Sequence, residues 1–252
     1  MGKTSSVATV FLDANIFKFS AIKKHVYLPK RQDIIWGPFV HETNVYEPYT
    51  VNSLDKVTSE ILRKDSILLA MAAFAGISGK LKFYYHREVE QETCGLPGMT
   101  TASGRFFECP LEEVADPEDA YSRILYGGGK HYKAHTQDFL SNIRNPRYLE
   151  IAKVTGAYQG KDKPLNLNQA LDAFHIWCAE SAGIEYFMTM DYKLKKVVER
   201  SKLQSSVQIT TPSQLLQTTV PQMGLFGGFS FLWKGVRFAK KNTKFQSRSG
   251  WK

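Results

Sequence analysis

Six consecutive residues near the start, Val7-Ala8-Thr9-Val10-Phe11-Leu12, are apolar or β-branched with no regular polar alternation, and the run stops abruptly at Asp13-Ala14-Asn15. A strand with one wet face would alternate, so an unbroken run describes a strand buried on both faces, as in a parallel sheet covered by helices. The rest of the chain supplies matching pieces. Strands are expected at 81–85, 184–189 and 207–210. Between them the periodicity predicts helices near 132–143 and 147–158, from a cap at Asn168 to Ala182 with Gly183 closing it, over 192–202, and from Pro212 through Leu216. From Leu54 a further helix places Leu54, Val57, Ile61, Leu68 and Ala72 on one face and Lys56, Glu60 and Lys64 on another, with Gly76 as its stop. Alternating strand and helix predicts an α/β fold with a parallel sheet. Residues 18–50 read as an inserted hairpin with Pro at its margins, and 94–130 as loop-rich.

Several classes drop out. With 252 residues, 43% of them hydrophobic, the chain is neither a miniprotein nor a disordered segment. Cys94, Cys109 and Cys178 are odd in number and widely spaced, and no signal pattern opens the sequence, so a reducing cytoplasm is the expected compartment. The longest apolar run, residues 67–77, falls short of the roughly 20 residues of a membrane helix. The net charge of +9 is unevenly distributed. All the acidic residues lie at or before Glu199, whereas nine basic residues and no acid follow from Arg200 onward. Residues 1–217 therefore read as one domain with insertions around 18–50 and 95–160, and residues 218–252 as a basic aromatic tail. In that tail Lys234, Arg237, Lys240, Lys241, Lys244 and Arg248 are interleaved with Phe238, Phe245 and Trp251. The bases could neutralise phosphates while the aromatics stack on unpaired bases of a nucleic acid.

Two carboxylates stand at carboxyl ends of expected strands: Asp13 after the first, and Asp191 after Phe187-Met188-Thr189-Met190. Ligand crevices in open α/β sheets lie outside those ends. Asp172, in the first turn of the helix before the Asp191 strand, comes towards the same rim. Carboxylates crowded together repel, and either a shared proton or a hard divalent cation relieves them. Mg2+ or Mn2+ held in this way can activate water and stabilise charge on a phosphoryl group.

At this point the sequence resembles the PIN-domain family of metal-dependent nucleases. The resemblance rests on Val10-Phe11-Leu12-Asp13-Ala14-Asn15-Ile16-Phe17, on Leu171-Asp172-Ala173-Phe174-His175, on Phe187 through Leu194, and on Val207 through Leu216. It implies a PIN-like three-layer sandwich in which Asp13, Glu92, Asp172 and Asp191 hold Mg2+ or Mn2+ and a phosphodiester, usually of RNA, is hydrolysed. The family's glutamate follows its second strand, often three positions beyond a Val. Val89 and Glu92 fit, and Glu88 and Glu90 lie close enough to leave the choice open. Asn15 and Thr189 would orient carboxylates. The family often has a fourth Asp shortly after the third, but here Tyr192-Lys193-Leu194-Lys195 follow. That departure keeps a non-catalytic nucleic-acid-binding protein as the alternative. The resemblance also allows a toxin role with an antitoxin-like protein partner, and a homodimer.

Other patterns point to bland roles. His131 and His135 have i, i+4 spacing but lack the Glu of the zinc-protease motif, and Gly127-Gly128-Gly129-Lys130 lacks the spacing of a phosphate loop. Cys94 and Cys109 have no further close ligands. Glu60 belongs to a charged helix face. His175, one turn beyond Asp172, is expected to be a partly buried helix residue that could also donate to the site.

Overall fold

The computed structural model describes residues 7–20, 23–52, 54, 57–93, 102–118, 121–123, 129–158, 164–201 and 203–220. Its centre is a five-stranded, fully parallel sheet: β1 (Ala8–Leu12), β4 (Leu81–Tyr85), β5 (Leu111–Glu113), β6 (Tyr186–Met188) and β7 (Gln208–Thr210), in the order β5-β4-β1-β6-β7. Val10, Phe11 and Leu12 are completely buried in the middle strand, as the unbroken apolar run requires. The expectation of an α/β fold with a parallel sheet between helices holds.

The helices between strands cover the sheet. On one side α2 (Glu60–Ile77) packs against α1 (Ala14–Ser20), β4 and α9 (Pro212–Thr219). On the other, α7 (Leu167–Ser181) packs with α5 (Gly129–Asn142), α6 (Pro146–Thr155) and β6, and α6 also meets α8 (Tyr192–Arg200). Two short helices, α3 (Arg87–Glu92) and α4 (Ala102–Arg105), follow β4. None of the described helices is long and apolar enough to cross a membrane.

The chain runs outward from β1 to β4 and β5 and then returns to β6 on the other side of β1. The strand order therefore reverses between β1 and β6, and that reversal opens a crevice at their carboxyl ends. Register puts Leu12 opposite Met188, which brings Asp13 level with Thr189, and the Asp13 amide donates to the Met188 carbonyl at 3.1 Å.

Several expected boundaries move. The helix expected from Leu54 starts at Glu60, where Ser59 caps it through the Leu62 amide, so Leu54 and Val57 lie outside it and Ile61 is exposed. Gly76 lies inside that helix rather than stopping it. A Cβ there would stand 2.5 Å from the Cys109 sulfur and 2.7 Å from the Phe83 ring, so the glycine permits close packing of α2 on β4. The cap of α7 is Asn166, not Asn168, which shifts Asp172 from the first turn into the second. β5 lies within the stretch read as loop-rich.

The inserted hairpin is present and longer than its neighbours: β2 (Lys23–Trp36) pairs with β3 (Phe39–Asn52) around Gly37-Pro38. Gly37 has φ +60° and the proline ring fixes a negative φ after it, the sign pair of a two-residue II′ turn. Such a turn makes Trp36 and Phe39 a hydrogen-bonded pair, and strict alternation then puts Pro29 and Pro48 at non-hydrogen-bonded positions. The prolines thus lie within the strands, not at their margins, and cost no ladder bond.

Candidate metal centre

Asp13 follows β1, is 3% exposed, and opens into α1. Its Oδ2 accepts from Thr189 Oγ1 at 2.6 Å and from Asn15 Nδ2 at 2.5 Å. Thr189 Oγ1 also accepts from Asn15 Nδ2 at 3.0 Å and from the Asp191 amide at 2.9 Å, which uses its one donor and both acceptor positions. Asn15 Oδ1 accepts from the Met190 amide at 2.8 Å. The end of β1 is thereby tied to the turn after β6, and the carboxylate of Asp13 has one orientation. Asn15 and Thr189, the residues expected to orient a carboxylate, both hydrogen-bond that of Asp13.

Asp191 ends that turn as the N-cap of α8, its Oδ1 accepting from the amides of Lys193 at 2.8 Å and Leu194 at 3.0 Å. Asp172 is half-buried on α7. Glu92 ends α3, close to His175: its Oε1 lies 3.4 Å from His175 Nε2, and neither that oxygen nor either ring nitrogen has a hydrogen-bond partner among the described residues. His175 is 1% exposed, more deeply buried than expected, and packs beside the Phe11 ring.

The neighbouring glutamates have other roles. Glu88 is buried and held by Arg123 Nε at 2.8 Å and the Tyr132 hydroxyl at 3.0 Å, with Arg123 also donating to Thr136. Beside it, His86 takes the Glu88 amide on Nδ1, which leaves Nε2 to carry the proton it donates to Asp116 at 3.1 Å. Burial pushes the His86 pKa down to about 4, against the opposing pull of the Asp116 carboxylate. The Glu88–Arg123 ion pair and the hydrogen bonds of Tyr132 and His86 fix α3, and the sequence did not single out this cluster.

Electrostatics joins the four predicted acids. Burial raises the Asp13 carboxyl to about 6, with the Thr189 hydrogen bond and the Lys18 charge pulling it back and Asp191 adding to the rise. Burial, then the Asp13 charge, raises Glu92 to about 8. Asp172 is raised well above the usual carboxylate range by burial and by the charges of Asp13, Glu92 and Asp191. Burial lowers His175 to about 3, with the His86 and Lys18 charges adding to the effect. Lys18, exposed on α1, is the cation whose charge reaches Asp13, Glu92 and Asp172 alike. Sequence reading missed it. Its place five residues beyond Asp13, on a helix starting at Ala14, is the only signal that could have found it.

The donor set is one of hard carboxylate oxygens, which suits Mg2+ or Mn2+ better than a softer metal. Glu92 Oε1 is a buried oxygen with no hydrogen-bond partner among the described residues, the kind of atom that is costly unless a cation or proton meets it. The residues therefore fit such an ion in their chemistry. Among the described residues, no three His, Cys, Asp or Glu side chains are already gathered closely enough to close around one. Mutual repulsion opposes closure, and the hydrogen bonds of Asp13 and Asp191 direct one oxygen of each towards protein donors. His135 is exposed on α5, and Cys109 is buried and free, so neither extends the set. Cys94, Gly127, Gly128 and the tail bases Lys234, Arg237, Lys240, Lys241, Lys244 and Arg248 lie outside the described residues. No protein-family model matches the chain, and no curated protein matches it.

Proposed function

We propose that the chain is a divalent-metal-dependent endoribonuclease of the PIN-like kind, with Asp13, Glu92, Asp172 and Asp191 as the residues that hold Mg2+ or Mn2+. The observation that carries this reading is electrostatic: Asp172 feels the charges of the other three acids, two of which, Asp13 and Asp191, follow the strands β1 and β6 between which the strand order reverses. Structural carboxylates are paired with cations, as Glu88 is with Arg123. Here the charge of the exposed Lys18 reaches three of the four acids, Asp13, Glu92 and Asp172.

Each residue has a distinct task. Thr189 and Asn15 hold Asp13 in one orientation, so that its carboxylate needs no reorganisation when a cation arrives. The α8 cap holds Asp191 in the same way. Glu92 brings a buried oxygen and gives up a proton on binding, because its carboxyl is raised to about 8. Lys18 offsets part of the negative charge and, being exposed, would meet a phosphate that approaches the acids from solvent. Held by Asp13, Glu92, Asp172 and Asp191, Mg2+ or Mn2+ would supply charge neutralisation at the phosphodiester and activation of the attacking water. The basic tail would carry the rest of the attraction to a polyanion.

A second reading, a non-catalytic nucleic-acid-binding protein on the same fold, is favoured by the open spacing of the carboxylates and by Tyr192-Lys193-Leu194-Lys195 where the family often has another Asp. Calorimetric titration of the full chain with Mn2+ separates the two. The nuclease reading expects a site that saturates below millimolar Mn2+ and is lost in Asp191→Ala. Absence of binding at millimolar Mn2+ would favour the binder.

A further inference from the structure

The hairpin β2–β3 ends in an apolar tip that nothing among the described residues covers. Trp36 is 77% exposed, Ile35 75% and Phe39 66%, with Val40 and Ile34 beside them. Every described side chain from 29 to 46 is exposed apart from the half-buried Thr43. Among the described residues, neither strand has a ladder partner other than the other strand of the hairpin. An isolated two-stranded ribbon is marginal in water, and a lone domain rarely leaves so large an apolar surface wet.

Register assigns the faces. Trp36 lies opposite Phe39 and Ile34 opposite His41, which puts Ile34, Trp36 and Phe39 on one face; Ile35 lies opposite Val40 on the other. The tip is thus apolar on both faces. A flat surface would cover only one, so the occupant must embrace the ribbon.

We infer that the occupant is a second copy of this chain, and that the hairpin is the arm of a homodimer. Charge argues for a like partner. Residues 30–46 carry two bases, Lys30 and Arg31, and two acids, Asp33 and Glu42, so the distal half is formally neutral and two copies do not repel. Asp33 and Glu42 face each other across the strands directly behind Ile35 and Val40, with Arg31 paired to Glu42. That carboxylate pair would meet the phosphates of an anionic membrane or of RNA if the tip inserted there. Size agrees. The tip side chains with Val45 and Tyr46 present roughly 800 Å2 at the areas typical of such residues, so two copies would bury about 1,600 Å2, the standard size of a specific interface. Reach agrees too: a strand of this length spans ~48 Å, about the diameter of a compact domain the size of the remaining chain. Pro29 and Pro48 present no outward amide, so strand addition is blocked towards the base and left open towards the tip. Edge pairing between copies is therefore confined to the distal half, which carries the apolar tip, while the partner encloses its two faces.

The test is the mass of the full chain in solution, measured by sedimentation equilibrium between 1 and 100 µM. The parent is expected to be a dimer, and Trp36→Ser with Phe39→Ser on one face, or Ile35→Lys with Val40→Lys on the other, is expected to raise the dimer Kd at least 100-fold. Circular dichroism melts unchanged from the parent show that the body of each variant is folded. A parent that is monomeric at 100 µM, or variants as dimeric as the parent, would overturn the inference. So would a monomer whose Trp36 and Phe39 prove necessary for binding anionic vesicles, RNA or a different protein. The readout is mass, not cleavage, so failure of the nuclease reading leaves it untouched.

Discussion

Thr189 Oγ1 donates to Asp13 Oδ2 at 2.6 Å across the point where the strand order reverses, linking the ends of two adjacent parallel strands through one hydroxyl. Thr189 is completely buried, so its hydroxyl has no solvent to fall back on. Thr189→Val keeps the shape and removes the donor, leaving a buried carboxylate short of a hydrogen bond. Stability in urea should fall by about 1–3 kcal/mol, and Mn2+ affinity by about 10- to 100-fold. Thr189→Ser should restore most of both. A valine variant with parental stability and metal affinity would show the hydroxyl to be a bystander.

Glu92 gives the pH prediction. Its carboxyl sits at about 8 in the folded chain against an ordinary value of 4.5, so between those values the folded state keeps a proton that the unfolded chain has lost. The associated stability is fully present below pH 4.5 and is lost as pH rises through 8. Glu92→Gln is shaped alike and does not titrate. In the presence of EDTA the melting temperature of Glu92→Gln, relative to the parent, should therefore rise steadily from pH 4.5 to 8 and level off above. Saturating Mn2+ should narrow that gap, because an ion compensates the parent's carboxylate and not the amide. A gap independent of pH would contradict the placement of Glu92.

Lys18 carries a prediction of opposite sign for metal and substrate. Lys18→Met removes the cation that acts on Asp13, Glu92 and Asp172. Mn2+ should bind a few-fold more tightly at low salt, and the difference should shrink as salt screens it. Binding of RNA should weaken at the same time. Calorimetry for the metal and fluorescence anisotropy for RNA read the two arms separately, and weaker binding of both would contradict an electrostatic role.

Gly76→Ala is the control for packing. Its Cβ would meet Cys109 and Phe83 well inside contact distance, so stability should drop by about 1–3 kcal/mol while Mn2+ affinity stays within twofold of the parent. Chemical denaturation and calorimetry check the pair of outcomes.

What was legible in the sequence followed from burial. β1, β4, β6 and β7 announce themselves because strands covered on their faces are apolar and bounded by polar turns. β5 does not: Leu111-Glu112-Glu113 lies at an edge, two of its three side chains are exposed, and parallel pairing to β4 alone puts it in the sheet. The nearness of Asp13, Asp172 and Asp191 to one another was readable because each follows or precedes a strong apolar element. The separate engagement of Glu88 was not, since it depends on Arg123 and Tyr132, 35 and 44 residues away, holding it in a cluster of its own. Asn166 took the cap expected at Asn168 because its side chain reaches the Gln169 amide, and two asparagines two residues apart look alike in sequence.

Of the four acids proposed to act together, Asp172 is the member that feels all the others. The decisive measurement is cleavage of labelled RNA by the purified parent and by Asp172→Asn, with Mg2+, with Mn2+ and with EDTA, alongside melting curves for both proteins. The prediction is cleavage by the parent only with metal, a loss of at least 1,000-fold in the variant, and a variant that melts cooperatively no lower than the metal-free parent, since the amide removes a repelled carboxylate. Cleavage by Asp172→Asn at the parental rate, or cleavage by the parent undiminished in EDTA, would contradict it.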